Sequence, residues 1–394
     1  MKSIAMVIPG LDRIGGAEQQ LLLLARGLQD RGWRVSVMTL SGTGGAAGRQ
    51  LAAEGIPFTS LGMRKGPADP RGWIRFHRWL RQQRPDLLHG HLPHAVWLAR
   101  WSRLAAPVRV LVDTLHTTAT GGLGRRLGYR CSNWLTDSVS AVSQAVAQAC
   151  LAAGMVSQDK LTILPNGVDV NYWKPDALVR SAMRAELGIR ADLGVRADLG
   201  IRADLGIQDE FVFLAAGRLE PVKDYPTLLT ALAGMPAPVR LLVAGSGPLE
   251  PMLRDLAATL GISNRVRFLG FQPDLRRWMQ AADAFVLSSR WEGLPMGVLE
   301  AAACGLPAVA TAVPGTREAV IDGQTGLLAA PGDADALGEA MTQITQLPPP
   351  AREQMGRSAR QFVVERFSLD AVLDRWEALY QELLQRNGRA ARWG

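Results

Sequence analysis

The chain is 394 residues long, 47% hydrophobic and 20% charged, with 44 Lys and Arg against 36 Asp and Glu for a formal net charge of +8. That length accommodates two domains with complete cores, and no apolar run approaches the roughly 18 residues of a membrane span. The three cysteines, Cys131, Cys150 and Cys304, stand far apart with no Cys-x-x-Cys pair, which argues against a disulfide framework or a zinc site and fits a reducing cytoplasmic compartment.

Charge is unevenly placed. Residues 1–170 hold 20 Lys and Arg against 10 Asp and Glu, the remainder holds 24 against 26, and all five histidines lie in the first part. One lobe is therefore expected to face something anionic. The sequence carries no recognised DNA- or RNA-binding motif. An anionic membrane surface or a phosphate-bearing acceptor fits better than nucleic acid.

Residues 4–9 read as a first strand; their apolar run follows a single lysine and is too short for a signal-peptide core. The next turn carries Gly15-Gly16, then a helix is expected over 17–31 with Leu21, Leu24 and Leu28 on one face. A glycine pair at a strand-to-helix turn can cradle a phosphate or a sugar, although such pairs also simply make turns. A second strand falls at 35–40, followed by a loop over the Gly- and Ala-rich residues 41–48. Between Arg64 and Arg84, seven basic residues interleave with Trp73, Phe76 and Trp79. That pattern suits a membrane headgroup layer, but a surface helix with its aromatics packed on the sheet fits slightly better.

Further strands are expected at 86–89 and 109–116. His89, His91 and His94 stand close in sequence, but the run turns from strand to loop and no carboxylate spacing completes a metal site. His116 ends its strand at the carboxyl edge, where open α/β sheets bind ligands, although a lone histidine there is as often structural as catalytic. A strand at 138–143 leads to a helix capped near Ser143, and 160–169 closes the first lobe with Asn166-Gly167-Val168-Asp169. Residues 184–207 are four near-identical hexapeptides, Arg-Ala-Glu/Asp-Leu-Gly-Ile/Val. A glycine every six residues disfavours a continuous helix, and so few copies cannot bury a β-helix core. They read as a tandem expansion in a tolerant connection, outside the active site.

Strand 211–216 runs into Gly217-Arg218-Leu219-Glu220-Pro221-Val222-Lys223. Arg218 offers a planar fork and Lys223 a compact charge, both suited to phosphate oxygens. Strand 239–244 then meets Gly245-Ser246-Gly247, which lacks a complete G-x-G-x-x-G and gives no support to a nicotinamide cofactor. Strand 266–270 leads to Phe271. After strand 283–289 comes Glu292-Gly293-Leu294-Pro295-Met296-Gly297-Val298-Leu299-Glu300. Gly293 and Gly297 allow close approach to the backbone, Pro295 suits a first helical turn, and the helix start suits an anion such as a diphosphate. Glu292 and Glu300 can bracket a polyhydroxylated ligand, but their spacing alone is equally consistent with two solvated carboxylates. Asp333-Ala334-Asp335 precedes a helical run and reads as an N-cap rather than a metal motif. Residues 369–385 form an amphipathic helix with Val372, Leu373, Trp376, Leu379, Tyr380 and Leu383 apolar.

Five separated features resemble those of the family 4 retaining glycosyltransferases of GT-B architecture: Gly-Gly-x-Glu at 15–18, His116, Asn-Gly-Val-Asp at 166–169, Gly-Arg-x4-Lys at 217–223 and Glu-x7-Glu at 292–300. The resemblance implies an α/β fold of two Rossmann-like, doubly wound domains facing across a cleft. It places an acceptor domain at 1–178 and a nucleotide-sugar domain at 179–368, with helix 369–386 packing back on the first. It implies transfer of a sugar from a nucleotide-diphosphate sugar, most often a UDP-sugar, to a glycan or lipid-linked acceptor in cell-surface polysaccharide or lipopolysaccharide synthesis. Catalytic roles fall to His116, Arg218, Lys223 and Glu292. Donor binding falls to Gly15, Gly16, Gly217, Arg218, Lys223, Phe271, Glu292, Gly293, Leu294, Pro295 and Glu300. No metal or cofactor is expected, and the location expected is cytoplasmic, at the inner face of the membrane. A nucleotide-sugar epimerase of the same architecture, or a non-catalytic binding protein, is the alternative.

Overall fold

A computed structural model of the chain describes residues 2–64, 69–106, 108–188, 210–236 and 238–390. The chain forms two compact units, Met1–Gly167 with Leu369–Gly394, and Val168–Ser368. It thus leaves the first unit earlier than residue 178. The side-chain amide of Gln20 holds that exit point, donating to the Gly167 carbonyl at 2.9 Å and accepting from the Gly167 N–H at 2.8 Å.

The first unit alternates β1 (Ser3–Ile8), α1 (Gly16–Asp30), β2 (Arg34–Thr39), α2 (Gly45–Ala53), β3 (Phe58–Ser60), α3 (Pro70–Gln83), β4 (Leu87–His91), α4 (Pro93–Ser102), β5 (Val110–Leu115), α5 (Leu123–Ser132), β6 (Ser138–Ala141), α6 (Gln144–Ala152) and β7 (Leu161–Ile163). Its parallel sheet has the order β3-β2-β1-β4-β5-β6-β7. Continuous apolar runs build it because both faces are covered. Ile4, Met6 and Ile8 join one core cluster, whereas Ala5 and Val7 join the cluster on the opposite face. Order reverses at the β1/β4 pair, the position at which such sheets bind ligands beyond their carboxyl ends.

The C-terminal helix, Leu369–Ala390, completes the first of these clusters with Val372, Leu373, Trp376, Tyr380, Leu383 and Leu384. Gly27 of α1 permits the contact, since a Cβ there would lie 2.3 Å from Leu373 Cδ1. Arg31 adds ion pairs to Asp374 at 2.6 Å and Glu377 at 2.9 Å.

The second unit runs α7 (Ala177–Glu186), β8 (Phe211–Ala216), α8 (Tyr225–Gly234), β9 (Val239–Ala244), α9 (Glu250–Thr259), β10 (Val266–Gly270), α10 (Leu275–Ala281), β11 (Ala284–Leu287), α11 (Met296–Ala303), β12 (Ala308–Thr311), α12 (Pro314–Ala319), β13 (Gly326–Ala329), α13 (Ala334–Gln346) and α14 (Pro349–Phe367). Its sheet, order β10-β9-β8-β11-β12-β13, reverses at β8/β11. Asp333 caps α13 by accepting from the Ala336 N–H at 2.9 Å, and Ser143 caps α6 through the Val146 N–H at 3.1 Å.

Two sequence expectations change, at 41–48 and in the hexapeptide segment, and the two readings of 64–84 are decided in favour of the packed surface helix. The loop expected at 41–48 is half helix, because Gly44 adopts the left-handed region (φ 77°) and turns the chain into α2. The aromatics between Arg64 and Arg84 do not face outward. Phe76 is buried, and Trp73 and Trp79 pack against the same core, so α3 is a surface helix whose rings serve the fold. The hexapeptide expansion lies outside the described residues from residue 189 onward, but its first arginine belongs to the fold. Arg184 is buried beside Asp283 at 3.1 Å, and Arg180 pairs with the same carboxylate at 2.6 Å. Asp283 also accepts from the Val212 N–H at 2.9 Å.

Removing residues 190–207 keeps one copy and the Arg184–Asp283 pair. Urea denaturation is expected to show a stability change within about 1 kcal/mol, because the closure cost of a connection grows only slowly with its length. Arg184→Ala, in contrast, is expected to cost about 3 kcal/mol by opening a buried pair. A larger loss from the deletion than from Arg184→Ala would contradict this division.

Candidate active site

The β8/β11 pairing brings two loops together at the carboxyl edge of the second sheet. The first follows β8 and carries Gly217, Arg218 and Lys223; the second follows β11 and carries Ser288 to Pro295. Lys223 Nζ lies 2.6 Å from Glu292 Oε1, and Ser289 Oγ donates to the same oxygen at 2.6 Å. Ser288 Oγ donates to the Lys223 carbonyl at 2.7 Å, and the Arg290 N–H to the Val222 carbonyl at 2.9 Å. Asp224 takes a left-handed conformation (φ 47°), held by Arg290 Nε at 3.1 Å and Thr227 Oγ1 at 2.8 Å. Two loops are thereby stitched into one surface.

Glycine is required under this surface. Gly217 sits at φ 152° and Gly245 at φ 140°, and a Cβ on Gly245 would lie 1.9 Å from the Gly217 carbonyl oxygen. The Gly-Ser-Gly turn therefore supports the Arg218–Lys223 loop. Gly297, expected to clear space for a ligand, instead lies against Phe285, whose Cζ would be 3.0 Å from a Cβ added there. Its small size lets α11 settle on β11. Pro295 occupies the N-cap of α11, one residue before the first turn.

Other predicted residues occupy different environments. Arg218 is exposed and paired with Glu220. Phe271 is exposed just beyond β10, and Leu294 is buried at the entrance to α11. Glu300 is buried inside α11; burial, with a smaller contribution from the Glu300 charge, pushes the Cys304 thiol up to about 12. The solvated reading of Glu300 is thus replaced by an inward-facing carboxylate. In the first unit, Gly15 is the N-cap of α1, and its N–H donates to Glu18 at 3.0 Å; Gly16 begins the helix.

His116, just past β5, meets His91 at the end of β4, with Nε2 and Nδ1 3.2 Å apart. His89 lies behind them, its ring 4.0 Å from that of His91. Tyr380 of the C-terminal helix is fully buried, and burial raises its pKa, so it keeps its proton. Its hydroxyl donates to His89 Nδ1 at 2.8 Å. This hydrogen-bond network assigns the His89 proton to Nε2, from which a chain of donors runs to Thr114 Oγ1 at 2.7 Å, Ser140 Oγ at 2.7 Å and the Asp113 carbonyl at 3.3 Å.

Burial lowers His89 to about 3 and His116 to about 4, and holds His91 well below the usual histidine range. Three neutral imidazoles result. His91 Nε2 and His116 Nδ1 are buried without a protein partner among the described residues. They line a cavity of about 20 Å³ with Gln20, Asn166 and Trp376, large enough for a single water or hydroxyl group. Because the shared hydrogen bond uses one proton, the pair presents one donor and one acceptor to that space.

Sequence reasoning missed Ser289, His89, His91 and Tyr380 as parts of these sites. Ser289 carried a readable signal, three residues before Glu292. The pairing of Tyr380 with His89 joins residues 291 apart, and no local pattern announces it.

Two parallel, doubly wound sheets, each with its glycine-lined loops at the point where strand order reverses, define the GT-B class of glycosyltransferases. The sequence comparisons agree. A model described as Glycosyltransferase Family 4 matches residues 14–172, and one described as Glycosyl transferases group 1 matches residues 200–362. The chain is 30% identical over 411 residues to a D-inositol 3-phosphate glycosyltransferase of Mycolicibacterium paratuberculosis, covering 96% of this chain and 88% of that one. It is 24% identical to the UDP-Gal:alpha-D-GlcNAc-diphosphoundecaprenol alpha-1,3-galactosyltransferase of Escherichia coli, over 80% of each chain. Among solved structures it is similar to Anabaena HepE in complex with UDP and glucose, with a TM-score of 0.81 and 23% identity over 97% of this chain and all of that one. The chain belongs to family 4 of the glycosyltransferases, and it is a glycosyltransferase.

The histidine cluster makes the first unit acid-sensitive. Unfolded histidine titrates near 6.5, whereas these are held lower when folded. Unfolding therefore takes up protons below about pH 6.5, and stability falls as pH drops from 6.5 towards 4. Urea denaturation of the first unit at pH 7.5 and 5.5 is expected to show that loss, with uptake of roughly three protons for the cluster. Equal stability at the two values would contradict the neutral assignment.

Proposed function

We propose that the chain transfers a sugar, with retention of anomeric configuration and without a metal ion, from a nucleotide-diphosphate sugar to a glycan or lipid-linked acceptor in cell-surface polysaccharide or lipopolysaccharide synthesis. The observation that carries this is the Lys223–Glu292 pair, 2.6 Å apart at the β8/β11 reversal and a few residues before the start of α11. One of the three Lys223 donors is committed to Glu292, which leaves two for phosphate oxygens. Lys223, Arg218 and the N–H groups opening α11 supply the positive charge that a departing diphosphate requires. Activity in the presence of a chelator is therefore expected.

Glu292 Oε1 accepts from Lys223 and Ser289, and Oε2 remains to accept a sugar hydroxyl. Glu300 takes the ribose hydroxyls, Phe271 and its neighbours meet the base, and Leu294 borders the donor with Gly217, Gly293 and Pro295. Gly15 and Gly16 sit beside the acceptor and the donor, and His116 hydrogen-bonds the transferred sugar. In the reaction, the bond from the anomeric carbon to the diphosphate oxygen breaks as the acceptor oxygen bonds on the same face. The acceptor proton passes to the departing phosphate oxygen. UDP is the favoured leaving group, since HepE was solved with UDP and the galactosyltransferase relative is named for a UDP-sugar. That relative's diphosphoundecaprenol-linked acceptor supports the lipid-linked choice.

Calorimetric titration with UDP and GDP in the presence of EDTA, followed by donor turnover with and without acceptor, tests this reading. Lys223→Ala is expected to lower turnover by about 100-fold or more while leaving the melting curve nearly unchanged. Unaltered turnover in that variant, or conversion of the donor to an epimer with no acceptor present, would count against the assignment.

A further inference from the structure

The first unit exposes apolar side chains that its core does not use, and they are grouped. Leu123 is 72% exposed, Leu127 47% and Trp134 64%. Leu123 and Leu127 lie one helical turn apart on α5, and Trp134 follows in the single 3-10 turn Asn133–Leu135. The Trp134 indole N–H is satisfied by the Cys131 carbonyl at 3.0 Å, so the ring turns its apolar face outward without a polar demand. The stripe is rigidly mounted, because Arg100 of α4, fully buried, pairs with Asp113 at 2.8 Å and donates to the Tyr129 carbonyl of α5 at 3.0 Å.

Charge selects the occupant. Between Asp113 and Asp137 the chain contains no carboxylate, whereas α5 carries Arg125, Arg126 and Arg130. A protein partner with a matching apolar patch would not require that bias. An apolar stripe on a segment that carries arginines and no carboxylate suits the boundary between lipid headgroups and acyl chains. The rings of α3, in contrast, pack on the core of the first unit and offer no such apolar stripe.

We propose that Leu123, Leu127 and Trp134 insert into an anionic lipid bilayer, with Arg125, Arg126 and Arg130 on its phosphates. This deepens the functional reading given above and rests on it for its purpose. His116 precedes α5 by seven residues, a stretch of at most about 25 Å. A lipid-linked acceptor held in the bilayer would thus be delivered to the same sheet edge that carries His116.

The test is co-flotation of the full chain with vesicles of phosphatidylcholine alone or mixed with phosphatidylglycerol. Wild type is expected to float with the mixed vesicles, less so at high salt, and weakly with the neutral ones. Leu123→Ser/Leu127→Ser/Trp134→Ser and Arg126→Glu/Arg130→Glu are each expected to reduce binding about tenfold or more. Ile74→Ser, an exposed apolar position on α3, should leave it unchanged. Cys131 is the exposed cysteine of the three, so an environment-sensitive dye placed there should shift to the blue on the mixed vesicles. Melting curves and UDP titration report folding and the nucleotide site separately, which keeps a failure of the functional reading apart from a failure of this one. Wild type that stays with the unbound protein, or a triple variant that floats like wild type, overturns the proposal. So does a dimer in solution that the triple variant abolishes while neither protein floats.

Discussion

The second unit is built around a lysine and a glutamate that reach each other from different loops. Their contact exists because β8 and β11 pair directly, although the β9 and β10 segments intervene in sequence. Strand-order reversal leaves the carboxyl ends of that pair uncovered by a crossover connection. The Lys223–Glu292 contact adds little to stability by itself: both groups are partly desolvated, and desolvation offsets much of what a close pair gains. What it supplies is position. Ser289 fixes the carboxylate, Ser288 fixes the backbone under the lysine, and the ammonium is held by one donor with two remaining.

The first unit solves its polar problem in the opposite way, with neutral groups. Three imidazoles crowd the ends of β4 and β5, where a charged form of any one would lack compensation. Tyr380 sets the proton position on His89 from the C-terminal helix, so docking of that helix and the polarity of the β4–β6 hydroxyl chain are one event. A hydroxyl group can then be offered both a donor and an acceptor without a charge being buried beside it.

The sequence made the doubly wound architecture legible because its signals are local. Buried parallel strands read as apolar runs, and the glycine turns follow them directly. Arg218, Lys223 and Glu292 were legible as ligand-facing candidates for the same reason, while their mutual contact was not, since it depends on which strands pair. The burial of Glu300 follows from how α11 sits on β11 through Gly297 and Phe285, a packing decision invisible in spacing. The ring-bearing helix α3 was ambiguous because an amphipathic pattern fixes which residues share a face, not which face meets water. The stripe on α5 escaped notice because it is short and its leucines look like core.

The hexapeptide array shows how a repeated sequence can still have one register. All four copies begin Arg-Ala, and each could in principle offer its arginine to Asp283. Only the first copy has a second arginine four residues earlier, Arg180, which binds the same carboxylate and the carbonyls of Gln280 and Ala282. The corresponding positions before Arg190, Arg196 and Arg202 are Glu186, Asp192 and Asp198. In a slipped register those carboxylates would oppose Asp283 and compete for the incoming arginine. Two arginines on successive turns of α7 therefore select the first copy as the one that joins the fold.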